Sequence, residues 1–488
     1  MAEPLTPIEQ SERSMAARVV VVVIMIVYVL GLFLFRRFNN NFPVVYTPIE
    51  DHFKYGSIGS EASTGEYASG IPYWIWKVLP DLFPDKLPGN GYASFGFVYE
   101  PGQDTPIGFG RRRVIVDRLG MNCAICHTGT VRDTPSSKPR IYLGMPANTL
   151  DLQSYLRFLI ACAADGRFTA DNVVRAIKTR KSLDPLETLV YQQAVYQMRE
   201  VLGIRGRQLA FMSSRPDWGP GRVDTFNPYK TVQFDFPMAN DQSVGATDLP
   251  SIWNQGPRVG MQLHWDGNND SLPERDKSAA LGAGVTPATI DIYSLTRIEN
   301  WLLNDLKAPK YPYTIDENLA AQGAPIYKSR CANCHDFGSP YVGKVTPIAE
   351  IATDRGRLDS FNYDLASNMN LLYAGYAWRF THFRKTDGYT NMPLDGVWLR
   401  APYLHNGSVP TLRDLLEPPA SRPQKFYRGY DVYDRMKGGF VSDIASENGR
   451  NYFLYDTTLP GNSNGGHLYG TDLSPADKDA LVEYLKKL

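Results

Sequence analysis

The longest run of apolar positions lies near the start of the chain. Val19–Phe35 reads VVVVVIMIVYVLGLFLF, seventeen positions without a charge, and this is near the lower limit for a helix that spans a bilayer. Arg36 and Arg37 follow directly, where a small-x-small cleavage site would be needed to remove a signal peptide. An uncleaved signal anchor is therefore favoured over a cleaved signal peptide. Arginines flank the run on both sides, so the positive-inside rule does not orient it.

Helical periodicity dominates the rest of the chain. An apolar stripe extends from Asp151 to Leu202 with a break at Ser182–Pro185. A second helix leads into residue 331, and Ser474 with Pro475 opens a closing amphipathic helix. Residues 241–310 are rich in Gly, Asn and Pro and show little periodicity, which predicts long loops. The predicted fold class is mainly α with long loops and short strands.

Composition limits the possible classes of protein. The chain has 488 residues, a length typical of roughly two to four domains. It has 51 basic and 51 acidic side chains, so its net charge is zero, and a nucleic-acid partner is not expected because such proteins carry a basic excess. Five cysteines are too few for a disulfide scaffold of this size. Their spacing is more informative than their number.

Four of the five cysteines form two copies of one motif. Residues 123–127 read CAICH and residues 331–335 read CANCH. Two thiols on one turn can each bond a vinyl group of one haem, and the histidine that follows lies under the ring as an iron ligand. A shared four-cysteine zinc site and a redox dithiol are the alternatives, but the two pairs are far apart and both carry the histidine. The predicted residues of two haem c sites are Cys123, Cys126, His127, Cys331, Cys334 and His335.

Covalent haem attachment takes place on the outer side of an energy-transducing membrane. Residues 1–18 are therefore expected inside the cell, and the chain after about residue 38 in the periplasm. The predicted protein is a single-pass protein of the inner membrane. Its predicted divisions are 1–40 for the anchor, 41–240 for the first haem domain, 241–310 for an inter-domain segment and 311–488 for a second cytochrome c domain.

Three segments carry a resemblance to a known family. Residues 248–254 read DLPSIWN, residues 263–267 read LHWDG, and residues 398–412 read WLRAPYLHNGSVPTL. These segments resemble the diheme cytochrome c peroxidase/MauG superfamily. The runs FYRGYDVY at 426–433 and NGGHLYGTDL at 464–473 are similar to its RoxA-like branch of diheme cytochromes, which includes the rubber oxygenases. The resemblance covers roughly residues 90–488.

The resemblance implies two cytochrome c-like domains that face each other across an aromatic residue. Trp265 is then the inter-haem tryptophan, with a role in catalysis, and His467 the sixth ligand of the second haem. His405 and Met392 are alternative ligands, although His405 is expected near a propionate and Met392 in the packing of its loop. The superfamily often holds Ca²⁺ between its domains, and residues 266–270 offer oxygen ligands, without a recognisable calcium-loop spacing.

The chain departs from the peroxidases of that superfamily at two positions. Val285 stands where the peroxidases carry a glutamate that moves a proton on bound peroxide, and Pro419 stands where they carry a methionine ligand. Efficient peroxidase chemistry is therefore disfavoured. For the first haem, Met145 is a possible sixth ligand, a core residue or part of a pocket wall, and the family's oxygenases have an apolar distal pocket.

Two classes of function remain. The first is an oxidoreductase in which one haem relays electrons and the other binds O2 or peroxide. The second is an electron-transfer cytochrome without catalysis, and in either case a quinol-oxidising complex or a small cytochrome is the expected redox partner. The run 111–113, RRR, is expected to neutralise propionates, to dock a donor or to form a solvated patch. Trp253 and Cys162 are expected in the core, and His264 in the core or at an interface.

Overall fold

Hydrophobic periodicity in the sequence corresponds to a set of short and medium helices in the computed structural model. The model describes residues 6–38, 45–58 and 70–488. The predicted start of the first haem domain, residue 41, lies outside this part of the chain. Helices, including short 3-10 turns, make up about 44% of the described residues, in agreement with the mainly α prediction. The helices are α1 Pro7–Phe38, α2 Ile49–Tyr55, α3 Tyr73–Leu82, α4 Leu152–Ala164, α5 Ala170–Lys178, α6 Pro185–Gln208, α7 Phe226–Phe234, α8 Leu272–Gly282, α9 Ile292–Asn304, α10 Glu317–Arg330, α11 Ala332–His335, α12 Ile348–Ile351, α13 Gly356–Ser360, α14 Tyr363–Leu372, α15 Leu412–Leu415 and α16 Pro475–Leu485.

Strands are short and mostly pair as antiparallel ribbons between the helices. The strands are β1 Ile71–Pro72, β2 Phe109–Val114, β3 Val116–Met121, β4 Thr128–Val131, β5 Arg140–Leu143, β6 Arg222–Asp224, β7 Ala246–Asp248, β8 Val345–Pro347, β9 Gly388–Thr390, β10 Lys425–Arg428, β11 Tyr433–Asp434, β12 Gly439–Phe440, β13 Ser446–Glu447, β14 Arg450–Asn451 and β15 Phe453–Asp456. Strands β1, β3 and β2 form one sheet in that order, and Phe109 pairs with Met121. The sheet therefore ends directly before the first CxxCH motif.

Helix α1 contains the uncharged apolar run Val19–Phe35. Within Gln10–Arg37, an 18-residue window has a mean hydropathy of 2.8, and none of this window is buried inside the protein. The stretch is long enough to cross a bilayer by length and composition. It is a candidate membrane span or signal sequence.

The predicted stripe between Asp151 and Leu202 forms three helices, because capping residues interrupt it. Asp151 caps α4, and Thr169 caps α5. Asp184 accepts from the N–H of Glu187, which completes a capping box at α6. The break predicted at Ser182–Pro185 is therefore confirmed, and a further break lies between α4 and α5.

The segment 241–310 is more regular than the sequence indicated. Helices α8 and α9 occupy 24 of its residues, so the expectation of long loops throughout this segment was wrong. Ser271 and Asp291 cap these helices by accepting from the N–H groups of Glu274 and Ser294 in the first turns. The stretch that remains irregular contains Trp265.

The closing helix packs against the helix that leads into the second motif. Ser474 caps α16 as predicted, and α16 packs along α10. Gly323 allows this approach, since a Cβ there would lie 2.1 Å from the Ala480 carbonyl oxygen. One core cluster joins Val131 and Trp253 to Leu481, so side chains from all three predicted divisions after residue 40 pack together.

Candidate functional site

The first CxxCH motif lies on a tight turn after β3. Asn122 accepts from the N–H of Ala124 at 2.9 Å and donates to the Gly56 carbonyl at 2.8 Å. The N–H of His127 donates to the Cys123 carbonyl at 3.1 Å. Asn122 thus ties the turn to the end of α2, and one turn presents both thiols and the histidine.

A backbone carbonyl fixes the ring of His127. The Nδ1 atom lies 2.9 Å from the Pro250 carbonyl oxygen, which can only accept, so Nδ1 carries the proton and Nε2 keeps its lone pair. Burial lowers the pKa of His127 to about 4. The ring is therefore neutral at neutral pH and presents Nε2 to a metal ion.

The second CxxCH motif has the same arrangement on different elements. It follows α10 directly, and α11 contains its histidine. The Nδ1 atom of His335 lies 2.6 Å from the Met392 carbonyl oxygen, and burial lowers the pKa of His335. Both motif histidines thus donate Nδ1–H to a carbonyl from another segment and leave Nε2 available.

The ring of His467 faces His335. The two ring centroids are 6.4 Å apart. A ligating imidazole nitrogen lies about 2 Å from its metal ion and the ring centre about 1 Å farther, so two rings on opposite sides of one ion have centroids about 6 Å apart. Burial, then the nearby His335 and Arg422, lowers the pKa of His467 to about 3. Its Nδ1 has no hydrogen-bond partner in the described part of the chain, and its φ is +47°, an uncommon value for a non-glycine residue.

Arg422 holds the loop that carries His467, and the sequence analysis did not single it out. It is 2% exposed and uses all five N–H donors on backbone carbonyls at 2.5–3.1 Å. Because every acceptor is a main-chain oxygen, no partner side chain in the sequence marks this role. The acceptors are the carbonyls of Leu415, Glu417, Asn464, Gly466 and His467.

Trp265 connects the segments that hold the two motif histidines. Its Nε1 donates to the Asp248 carbonyl at 2.9 Å, two residues before Pro250. Its own carbonyl accepts from the N–H of Thr390 at 2.8 Å, two residues before Met392. A chain of covalent and hydrogen bonds therefore runs from His127 through Trp265 to His335.

A buried ion pair holds Asp248, whose carbonyl oxygen accepts from the indole N–H of Trp265. The Asp248 carboxylate pairs with Arg428, and both side chains are almost fully buried. Arg428 also donates to the Pro220 and Gly407 carbonyls at 3.0 and 2.6 Å. This pair joins β7 to β10 and fixes the backbone that receives the indole N–H.

Apolar side chains surround the first motif turn. Ala124 belongs to a core cluster with Ile252, Ala280 and Val285. Glu274 follows Trp265 by nine residues, but its carboxylate accepts from the backbone N–H groups of Thr381 and His382 and from side chains. Its oxygens are therefore occupied in holding a loop, and the wall formed by the cluster is apolar.

The other ligand candidates occupy different places. Met145 is fully buried in the core cluster with Trp253. Met392 contacts His335 through its main chain, because its carbonyl oxygen accepts from the Nδ1 of that ring. His405 stacks on Tyr389 with centroids 3.9 Å apart, and its Nε2 has no partner among the described residues.

The oxygen ligands of 266–270 do not form a calcium site. Asp266 pairs with Arg357 at 3.0 Å, and Asp270 pairs with Arg384 at 2.7 Å. Asn268 lies 2.5 Å from the Nδ1 of His264. In residues 6–38, 45–58 and 70–488, no group of three His, Cys, Asp or Glu side chains is arranged to hold a metal ion. Because guanidinium groups already neutralise these carboxylates, the expected Ca²⁺ does not fit here.

The remaining candidates are structural. Trp253 and Cys162 are fully buried, as predicted, and burial raises the pKa of the Cys162 thiol to about 12. In the run 111–113, Arg111 pairs with Asp117 at 2.7 Å and Arg112 is buried near Asp291. Arg112 is thus the buried member of the run, and Arg113 is exposed.

These residues fit covalently bound haem c. Each motif puts two thiols and a neutral histidine on one turn, and in the second site another imidazole faces that histidine at the spacing of one metal ion. Attachment through CxxCH with axial histidine defines the class of c-type cytochromes.

Comparison with known proteins agrees with this class. Residues 388–428 match the family described as RoxA-like, cytochrome c-like, and the match supports a c-type cytochrome that binds haem c. The matched segment contains Met392, Arg422 and Arg428, which hold the second site and the Trp265 acceptor.

Two relatives come from Sinorhizobium fredii (strain NBRC 101917 / NGR234). The uncharacterized protein y4iM is 33% identical over 285 residues, 49% of this chain and 64% of that protein. The uncharacterized protein y4iJ is 24% identical over 561 residues, 88% of this chain and 90% of that protein. The match to y4iM thus spans less than two thirds of its length.

Proposed function

We propose that this protein is a membrane-anchored diheme c-type cytochrome with oxidoreductase activity in the periplasm. The site of His335 and His467 transfers electrons, and the site of His127 binds O2 or peroxide. One observation carries the proposal: His467 faces His335, whereas none of the other histidine rings, all within the described residues, stacks near His127. We infer that two imidazoles close the second site, whereas the site of His127 keeps a free coordination position because Met145 stays in the core cluster of Trp253.

The residues of the two sites are suited to hold haem c and to orient the histidine that would bind its iron. When bound, haem c supplies one-electron transfer and, at an iron with a free position, binding of a small ligand. The Pro250 and Met392 carbonyls fix His127 and His335 with Nε2 toward the metal. Cys123 of the first site packs against the apolar cluster of Ala124, Ala280 and Val285.

Trp265 supports electron transfer between the sites. The bonded route from His127 through the Asp248 carbonyl, the indole and residues 390–392 reaches His335 without a gap wider than a hydrogen bond. An indole on this route shortens the distance over which an electron must tunnel. We therefore assign Trp265 the role of inter-haem aromatic.

The membrane location rests on α1. Covalent haem attachment requires the region after α1 to be outside, and Gln10–Arg37 is long enough to span the bilayer. The anchor places the sites beside membrane redox complexes, so a quinol-oxidising complex or a small cytochrome is the proposed partner.

Haem counting and carbon monoxide binding test the proposal. We expect the mass of the purified chain to show two covalent haems, and the double variant Cys123→Ala/Cys126→Ala to show one. The reduced protein should bind one carbon monoxide per chain, at the site of His127. In His467→Ala, the second site also opens, so two should bind.

Two results contradict the proposal. A single haem in the wild-type mass would exclude the diheme assignment. Two haems without carbon monoxide binding would mean that both sites are closed, and the electron carrier without catalysis would then be the better description. The buried Cys162 provides the control, since Cys162→Ala should change neither the haem count nor carbon monoxide binding.

A further inference from the structure

Helix α6 carries apolar side chains on two opposite faces. One face packs on α4 and α5 and is buried through Tyr191, Val195 and Met198. The other face is open to solvent. At 3.6 residues per turn, its apolar side chains fall within an arc of about 140°. They are Leu186, Leu189, Tyr196, Val201 and Ile204, called here the α6 stripe.

The α6 stripe places five partly exposed apolar side chains on one face of the helix, with polar residues between them. Leu189 is 52% exposed and Tyr196 is 61% exposed. Single exposed apolar residues are normal, whereas a contiguous apolar patch marks a surface that another phase or molecule covers. From Leu186 to Ile204 the stripe is about 27 Å long at 1.5 Å per residue. Gln193, Gln197 and Glu200 share the arc, so the face suits an interface between polar and apolar surroundings better than a protein core.

The stripe begins where the membrane helix ends. Arg37, in the last turn of α1, pairs with Asp184, the N-cap of α6. The same guanidinium lies 3.9 Å from Glu187 in the first turn of α6. The first turn of α6 is therefore joined to the last turn of the apolar helix α1.

Basic side chains flank both ends of α6. Lys178 and Arg180 precede it, and Arg205 and Arg207 lie in its last turn. Arg180 also pairs with Asp81, so the attraction to anionic headgroups is modest and the apolar stripe provides most of the binding. A helix that rests on a membrane lies in the plane of the bilayer, with its apolar face about 5–10 Å below the headgroups.

We propose that α6 lies on the outer surface of the bilayer that α1 spans, with the α6 stripe inserted between the headgroups and the acyl chains. The proposal rests on α1 as the membrane anchor of the proposed function. Because α6 packs on the core that includes Ile125 of the first motif, this contact turns the first haem unit toward the membrane.

Depth measurements on the full chain test this orientation. Leu189→Cys and Ile204→Cys carry a nitroxide label in protein reconstituted into vesicles of phosphatidylethanolamine and phosphatidylglycerol. Met436→Cys, at a position 84% exposed on another part of the surface, is the matched control. Power saturation compares collisions with O2, which enriches in lipid, and with a water-soluble nickel chelate. We expect O2 collisions to dominate at 189 and 204, and the ratio to reverse at 436.

Each other outcome overturns the proposal. If the labels at 189 and 204 show the same collision ratio as the label at 436, α6 does not touch the bilayer. If the chain also stays in carbonate-washed membranes, α1 still anchors it, and only the orientation of α6 is wrong. If spin–spin broadening at 189 grows with the protein-to-lipid ratio, a second copy covers the stripe. If carbonate removes the chain from the membrane, the anchor of the proposed function fails as well.

Discussion

Replacement of Arg422 by methionine tests how the protein holds His467. The variant keeps an unbranched side chain and removes five N–H donors. A buried acceptor without its hydrogen bond costs about 1–3 kcal/mol, so the lower bound for five carbonyls gives about 5 kcal/mol. That is as large as the most severe single substitutions. We therefore expect the loop at 464–467 to open and His467 to leave the second site.

Electron paramagnetic resonance of the oxidised protein measures directly whether His467 still occupies the second site. Arg422→Met should convert the low-spin signal of the second haem to high spin, and the reduced variant should bind a second carbon monoxide. Arg422→Lys keeps the charge with fewer donors, so we expect an intermediate result. Arg413→Met is the matched control, because Arg413 pairs with Glu417 and Asp479 near the surface and should leave the spectrum unchanged.

The buried positive charge of Arg422 should also affect the reduction potential of the second haem. Its hydrogen bonds go to carbonyls, so a positive charge stands beside His467 without a carboxylate bonded to it in the described part of the chain. A nearby cation disfavours the more positive ferric state. In Arg422→Met molecules that retain His467, the reduction potential of the second haem should therefore fall. A wild-type spectrum and wild-type thermal stability in Arg422→Met would refute the positioning role.

Three further substitutions test other parts of the account. Trp265→Phe keeps an aromatic ring but loses the donor to the Asp248 carbonyl, so electron transfer between the haems in the half-reduced protein should slow by about tenfold or more, as followed by flash photolysis of the carbon monoxide complex. Arg428→Met leaves the Asp248 carboxylate buried and unpaired, and the free energy of unfolding should fall by about 3–5 kcal/mol in a denaturant titration. Val285→Glu places an acid in an apolar cluster, so the variant should lose stability by thermal unfolding, and equal stability would show that this wall is open to water.

The regular parts of the fold were predictable because their signals are local. Ser474 with Pro475 starts α16, and Asp184 with Glu187 starts α6, as the spacing of capping residues indicates. Helices α8 and α9 were not predicted, because their apolar stripes are short and the surrounding segment is rich in Gly, Asn and Pro, which indicate loops. Their caps, Ser271 and Asp291, are visible in the sequence once the segment is searched for them.

In the candidate site, too, the features encoded by neighbouring residues were predictable, and those that depend on contacts between distant residues were not. The CxxCH motifs are contiguous, and the sequence therefore points to them directly. His467 came from a family resemblance, and the structure puts its ring opposite His335. Arg422 acts through main-chain carbonyls, and Asp266 pairs with an arginine 91 positions away. Neither contact leaves a pattern in the sequence. The support of His467 by Arg422 and the pairing of Asp266 with Arg357, in place of a calcium ion, were therefore not predicted.

The most direct test of the central claim is electron paramagnetic resonance of the full chain, fully oxidised and then half-reduced. The account predicts one low-spin ferric signal from the site of His335 and His467 and one high-spin signal from the site of His127. The high-spin signal should change when peroxide is added. Two low-spin signals in the oxidised protein, with no high-spin species on half-reduction, would contradict a free position at His127 and would leave an electron carrier.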